Sequence, residues 1–431
     1  MIIRMAFRNI FRQKRRSLLT ILSMFGGFAM AAIFIGWADG SYNNIIDNFT
    51  RYNYGHIQIH KEDYLDRPSL YKTIDNYGDI ETILEGTEKI DSWAPRLYSV
   101  GLVSVDEKSS GTRIIGIDPE SENRTTAFNK KITEGEGFSD AHAYEAVIGQ
   151  GLAKILKAGV NDSIVIVSQT ADGSIANDRY KILKAGVNDS IVIVSQAADG
   201  SIANDRYKIV GIIDTGNEVA DRSSFYLPLE TAQELLVLYG RVHEVAITVK
   251  NLHYVLPITE QLGAALGDSD LTVAPWQEFA RSFYIAMKAD MEGMWISLFI
   301  IVLIVSVGVF NTVLMSVLER VREYGVLKAV GTKPGQIIRL VLAEVNIMAV
   351  FSILLGIIVG YIVNYLLSTH GVTLTEGFSY GGMEFREMKS EINARSFYIP
   401  ALTVLLSGFI IGLFPSIKAA HTDPAKSMRF H

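Results

Sequence analysis

The chain has 431 residues, 49% of them hydrophobic and 20% charged, with a formal net charge of −6. It contains no cysteine, which excludes a disulfide framework, a thiol nucleophile and lipidation at Cys. The charge total describes no single surface, because the basic residues are concentrated in a few short segments.

Residues 1–17 carry Arg4, Arg8, Arg12, Lys14, Arg15 and Arg16 and no acid. This reads as a cytoplasmic segment that sets topology and contacts anionic lipid, not as a nucleic-acid footprint. The apolar stretch 18–38 follows. A helix of about 20 apolar residues crosses a hydrocarbon core. The stretch is too long for the apolar part of a cleavable signal, and no small-residue cleavage site follows it. Comparable stretches lie at 295–318, 337–367 and 397–417, the third with Arg339 close enough to an end to snorkel.

Orientation follows from the bias of Lys and Arg. Segments 1–17, 319–336 with Arg339, and 418–431 together hold 14 of the 40 basic residues and three acids, Glu319, Glu323 and Asp423. Glu344 aside, the remainder holds 26 basic and 42 acidic residues. Both termini are therefore expected inside, with the large domain 39–290 and the short loop 368–396 outside.

Within the outer domain, 39–54 has apolar residues at helical spacing and extends the first span as a stalk, matched by 278–292 before the second. Strand–helix–strand patterns lie at 53–105 and 241–275 and could pair as one α+β subdomain. The intervening 106–240 reads as a β-rich insertion with one amphipathic helix near 230–239. It contains a tandem repeat: 154–180 and 181–207 differ only at Thr170 and Ala197. Each copy reads as a hairpin, so one copy is expected to be dispensable.

Several motifs are weaker than they look. Gly325 through Lys333 lacks the spacing of a phosphate-binding loop, so the chain is not expected to bind ATP unaided. Gly377 to Gly381 fits GxSxG, but in a short loop between spans and not at a strand-to-helix turn. His56 and His60 share a strand face without a third ligand, so a solvated strand is expected there and no metal site. No catalytic or cofactor-binding residue is assigned. GxxxG occurs as Gly36–Gly40, Gly356–Gly360 and Gly408–Gly412, where paired glycines allow close helix packing. Asn311 and Glu344 are polar groups inside spans and are expected to face protein.

The sharpest signal is ERVREYGVLKAVGTKP at 319–334. Glu319, Arg320, Arg322 and Glu323 leave the second span, Gly325 breaks the pattern, Leu327, Lys328 and Ala329 belong to a short apolar turn, and Gly331 closes it. A charged knob fused to two spans can receive force from a soluble protein. Spacing alone equally allows an ordinary positive-inside loop.

The segment NTVLMSVLERVREYGVLKAVGTKPGQI at 311–337 resembles the FtsX/MacB-like permeases of ABC transporters, and within them the LolC/LolE-type lipoprotein-releasing permeases. The likeness extends through AFRNIFRQKRRSLLTILSM at 6–24, GHIQIHKEDYL at 55–65, TRIIGIDPESE at 112–122, DTGNEVADRSSFYLPLETAQELL at 214–236 and FPSIKAAHTDPAKSMR at 414–429. The duplicated hairpin departs from the family pattern. The resemblance implies an α-helical membrane protein with four transmembrane helices and a large α+β extracytoplasmic domain with porter-like and sabre-like parts. It also implies that 319–331 docks on a separate ABC ATPase that binds ATP and Mg, and that the permease pairs with a second copy or a paralogue. The cargo would be a lipoprotein or amphiphile, moved from an inner membrane. Export of a drug or peptide, or a signal relay to a periplasmic partner, are the alternatives.

Overall fold

The computed structural model describes residues 2–12, 14–105, 108–141, 143–167, 195–196, 202–203, 205–267, 269–380 and 383–421. Its helices in chain order are α1 (Ile2–Arg12), α2 (Lys14–Phe49, continued by a π-turn over Thr50–Tyr54), α3 (Tyr77–Glu85), α4 (Pro119–Thr126), α5 (Gln150–Leu156), α6 (Glu218–Asp221), α7 (Leu229–Leu236), α8 (Val255–Leu266), α9 (Trp276–Phe279), α10 (Arg281–Glu319), α11 (Val321–Ala329), α12 (Pro334–His370) and α13 (Arg395–Ala420). The strands are β1 (Ile57–Lys61), β2 (Ile90–Val105), β3 (Lys108–Ile117), β4 (Ile132–Gly135), β5 (Glu145–Gly149), β6 (Ser163–Val167), β7 (Ser195–Gln196), β8 (Ile202–Ala203), β9 (Arg206–Ile213), β10 (Ser224–Pro228), β11 (Glu244–Val249), β12 (Leu271–Pro275), β13 (Val372–Tyr380) and β14 (Met383–Met388). They fall into two compact units, 1–44 with 287–375 and 386–431, and 45–286 with 376–385.

The first unit is helical. Four helices are long and apolar enough to cross a membrane: α2 with its π-turn, α10, α12 and α13. Their shared core brings together Met24, Phe28 and Ala32 of α2, Val309 and Val313 of α10, Val345, Met348 and Ala349 of α12, and Val404 of α13. The packing is close where glycine stands. A Cβ on Gly356 would lie 2.2 Å from the Phe28 ring, one on Gly36 would lie 2.6 Å from the Asn364 amide, and one on Gly40 would meet the backbone of 389–391 at 2.5 Å. Gly360, Gly408 and Gly412 face Ala32, Met24 and Leu342 at 3.2–3.6 Å. All six glycines of the GxxxG pairs thus face neighbours within the same chain. Helix α1 leaves Ile3, Phe7 and Phe11 exposed at every fourth residue beside Arg4, Arg8 and Arg12, the pattern of a helix lying at a membrane surface.

The second unit is built on one sheet, in the order β12-β1-β11-β2-β3-β10-β5-β9-β4, with β6 pairing to β2 and β9. The two strand–helix–strand units interleave, since β1 lies antiparallel between β11 and β12. The stretch 106–240 is not a separate β insertion. Strand β2 is long enough to pair with β11 along its first half and with β3 and β6 along its second, so one sheet runs through both parts. The described residues of that stretch also hold four α-helices where one was expected near 230–239. The start of α4 was legible: Asp118 accepts from the Ser121 N–H at 2.8 Å and Pro119 fixes the first turn.

Residues 168–194, 197–201 and 204 lie outside the described residues, and with them most of the tandem repeat. The described ends are informative. Strand β6 comes from the first copy and β9 begins in the second, yet they pair directly, Ser163 opposite Lys208 and Ile164 opposite Tyr207.

Candidate coupling site

Helix α11 is short and two-sided. Tyr324 is fully buried and packs with Val317, Ile337, Val341, Ala419 and Ala420, while Leu327 lies partly buried against the same cluster. Residues a turn away, Arg322, Val326, Ala329 and Val330, are exposed, Val330 at 82%. Gly331 ends the helix at φ 101°, a left-handed conformation that side chains resist.

The charges around α11 work as anchors. The Arg320 guanidinium donates to Glu344 at 2.6 Å and to Glu323 at 2.9 Å, and the Asn9 amide donates to the other Glu344 oxygen at 2.6 Å. Glu319 pairs with Arg16, and Glu323 lies 3.8 Å from Arg12. At the far end, the Lys328 ammonium donates to the Ala420 carbonyl at 2.9 Å. Arg320 and Glu344 are both buried, where each charge requires the other.

The packing divides the expected set by where the side chains face. Arg320, Gly325, Leu327 and Lys328 face into their own chain and position α11, while Glu319 and Glu323 sit at its edge in ion pairs. Of the expected set, Arg322, Ala329 and Gly331 face outward. Two apolar residues beside that set, Val326 and Val330, also face outward. The helical period places them on the opposite side from Tyr324.

Glu344 faces protein, but Asn311 does not. Its side chain is exposed, because α10 turns Val309, Val313 and Val317 inward and Asn311 falls between them on the outer face. The buried intramembrane amide is Asn364, which donates to the Ala32 carbonyl at 3.1 Å and accepts from the Ser390 hydroxyl at 2.9 Å. An asparagine inside 337–367 was the available signal.

The histidine pair is not solvated, because β1 is buried on both faces. His56 accepts at Nδ1 from the Val249 N–H at 3.0 Å and contacts Asp47 at 3.2 Å. His60 lies 3.0 Å from Gln58 and 3.2 Å from the His243 carbonyl. Among the described residues no group of three or more His, Asp or Glu is placed to hold a metal. GxSxG lies largely on β13, which pairs with β14, so the loop 368–396 contains a hairpin.

Four membrane-length helices, an α+β domain between the first two, and a two-sided helix between the next two define the permease subunit of a transporter. Residues 17–262 match the MacB-like periplasmic core domain and 295–424 match the FtsX-like permease C-terminal domain. The chain therefore belongs to the FtsX/MacB/LolC family of ABC transporter permeases. It is 23% identical over 359 residues to the lipoprotein-releasing system transmembrane protein LolC of Neisseria meningitidis, covering 80% of each chain. It is 25% identical over 227 residues to the macrolide export ATP-binding/permease protein MacB of Pasteurella multocida, covering 51% of this chain and 32% of that protein. Among solved structures it is similar to the periplasmic region of MacB from Actinobacillus actinomycetemcomitans, at 15% identity and a TM-score of 0.34, covering 51% of this chain and 87% of that one.

Proposed function

We propose that this chain is the permease subunit of an inner-membrane exporter that releases lipoproteins, driven by a separate ABC ATPase docked on α11. The observation that carries the reading is the LolC relative, matched over 80% of both chains. The MacB relative is matched over only 32% of its length. ATP and Mg would bind to the ATPase subunit, and this chain would supply no catalytic group. Nucleotide-driven closure of two ATPase subunits would push on the exposed Arg322, Val326, Ala329 and Val330 of two paired permeases. Export of a drug or peptide is the second reading, favoured by the match of 17–262 to the MacB-like core domain.

The test is substitution of Val330 and Val326 by Asp, which places a charge on the outward face without disturbing Tyr324. Each is expected to reduce co-purification of the ATPase by about tenfold or more, the effect of burying an unpaired charge in an interface. Release of a radiolabelled lipoprotein from proteoliposomes should fall in parallel. Full release with both variants would overturn the docking surface. ATP-dependent efflux of a small drug with no lipoprotein released would favour the second reading.

A further inference from the structure

The second unit contains an open cavity of about 680 Å³, within the size range of small-ligand sites, about 300–1,000 Å³. Its apolar lining includes Phe49, Leu65, Leu70 and Phe279. Tyr64 also lines the cavity, and its ring stacks on both His60 and His243, each at 5.3 Å. The wall is thus preformed, and a ligand would not have to order it.

The polar end is set by Arg113. Its guanidinium lies 4.2 Å above the Tyr98 ring, and among the described residues no carboxylate comes within 4.0 Å of it. The carboxylate in the cavity wall, Glu244, is already engaged, by the Arg96 guanidinium at 3.1 Å and the Tyr98 hydroxyl at 3.0 Å. Arg96 is in turn held by both oxygens of Glu122, at 2.7 and 2.9 Å. Glu244 therefore acts on Arg113 only at longer range, and the guanidinium reaches the apolar cleft without a direct carboxylate contact. A planar guanidinium stacked on an aromatic ring presents a fork of donors suited to carboxylate or phosphate.

We propose that this cavity binds an amphiphile bearing one anionic head group, carboxylate or phosphate, with the head on Arg113 and the apolar body against Phe49, Leu65, Leu70 and Phe279. The site goes beyond the release reading. Its test contains no ATPase and reads binding alone, so either can fail without the other.

The experiment uses the full chain in nanodiscs of zwitterionic phosphatidylcholine, with a diazirine-bearing laurate photo-crosslinked and mapped by peptide mass spectrometry. Saturable labelling is expected within 49–70 or 98–113. It should be competed by laurate and dodecyl phosphate, and not by dodecanol or inorganic phosphate. Arg113→Gln should weaken labelling at least about tenfold, the scale of a charge-assisted contact, and Arg113→Lys should weaken it less. Leu70→Trp, which fills the cleft and leaves Arg113 in place, should block labelling and serves if Arg113→Gln does not fold. Competition by dodecanol equal to that by laurate, undiminished labelling of folded Arg113→Gln, or labelling confined to other segments would overturn the proposal. Competition by inorganic phosphate as effective as dodecyl phosphate would overturn the amphiphile in favour of a free anion.

Discussion

His243 is fully buried, and its hydrogen bonds assign its proton. Nδ1 accepts from the Tyr98 backbone N–H at 3.0 Å, so the ring is neutral and Nε2 donates to the Leu70 carbonyl at 3.1 Å. Burial, offset in part by the Leu70 carbonyl and Glu244 and reinforced by the neighbouring His60, pushes its pKa down to about 4. The unfolded chain, with a His pKa of about 6.5, binds the proton first. The stability from a neutral His243 is complete above about pH 6.5 and is lost as pH falls from there toward 4, by up to about 3 kcal/mol. The melting temperature should drop through that window. His243→Gln should melt lower overall but with a shallower slope between pH 6.5 and 4. Equal slopes in the two proteins would remove His243 as the cause. Nothing in the sequence around His243 announced this. Its partners Tyr98 and Leu70 lie far away in the chain, and tertiary hydrogen bonding leaves no local pattern.

Helices were legible where their apolar runs were long, and the two strand–helix–strand units were legible from alternation and spacing. What the sequence hid was long-range pairing. No local signal says that β2 crosses from one part of the sheet to the other, because that depends on which distant strands line up beside it. The candidate coupling site was legible as a segment and not as a surface: glycine and charge marked where α11 lies, but only packing around Tyr324 decided which residues face out. The repeat makes a sharper case. Because β6 of the first copy already pairs with β9, deletion of 168–194 joins Val167 to Ser195 and retains every described pairing between those strands. The shortened connection changes closure entropy by only about 1 kcal/mol. The deletion variant is expected to keep its melting temperature within a few degrees and its membrane insertion. Loss of folding would assign the repeat a structural role in the sheet.

On the scale of the whole chain, the distribution of charge predicts that the second unit lies outside and α11 inside. The absence of native cysteine makes this directly measurable. Ser109→Cys and Ala329→Cys each put a thiol at an exposed position, one in each unit. In intact cells, or in spheroplasts where an outer membrane intervenes, a membrane-impermeant maleimide should label the first and not the second, and permeabilisation should reveal the second. The reverse pattern would invert the topology.

The anchors around α11 carry a mechanical consequence. That helix follows α10 after a single turn residue, Arg320, and its surroundings are tied to α2 through Glu319 and Arg16, to α12 through Arg320 and Glu344, and to the end of α13 through Lys328. On the docking proposed above, thrust delivered to α11 would reach all four spans through these contacts. On that proposal, loosening a single fastening, as in Lys328→Met, would uncouple hydrolysis from release while docking persists, and idle hydrolysis would be separable from failed docking.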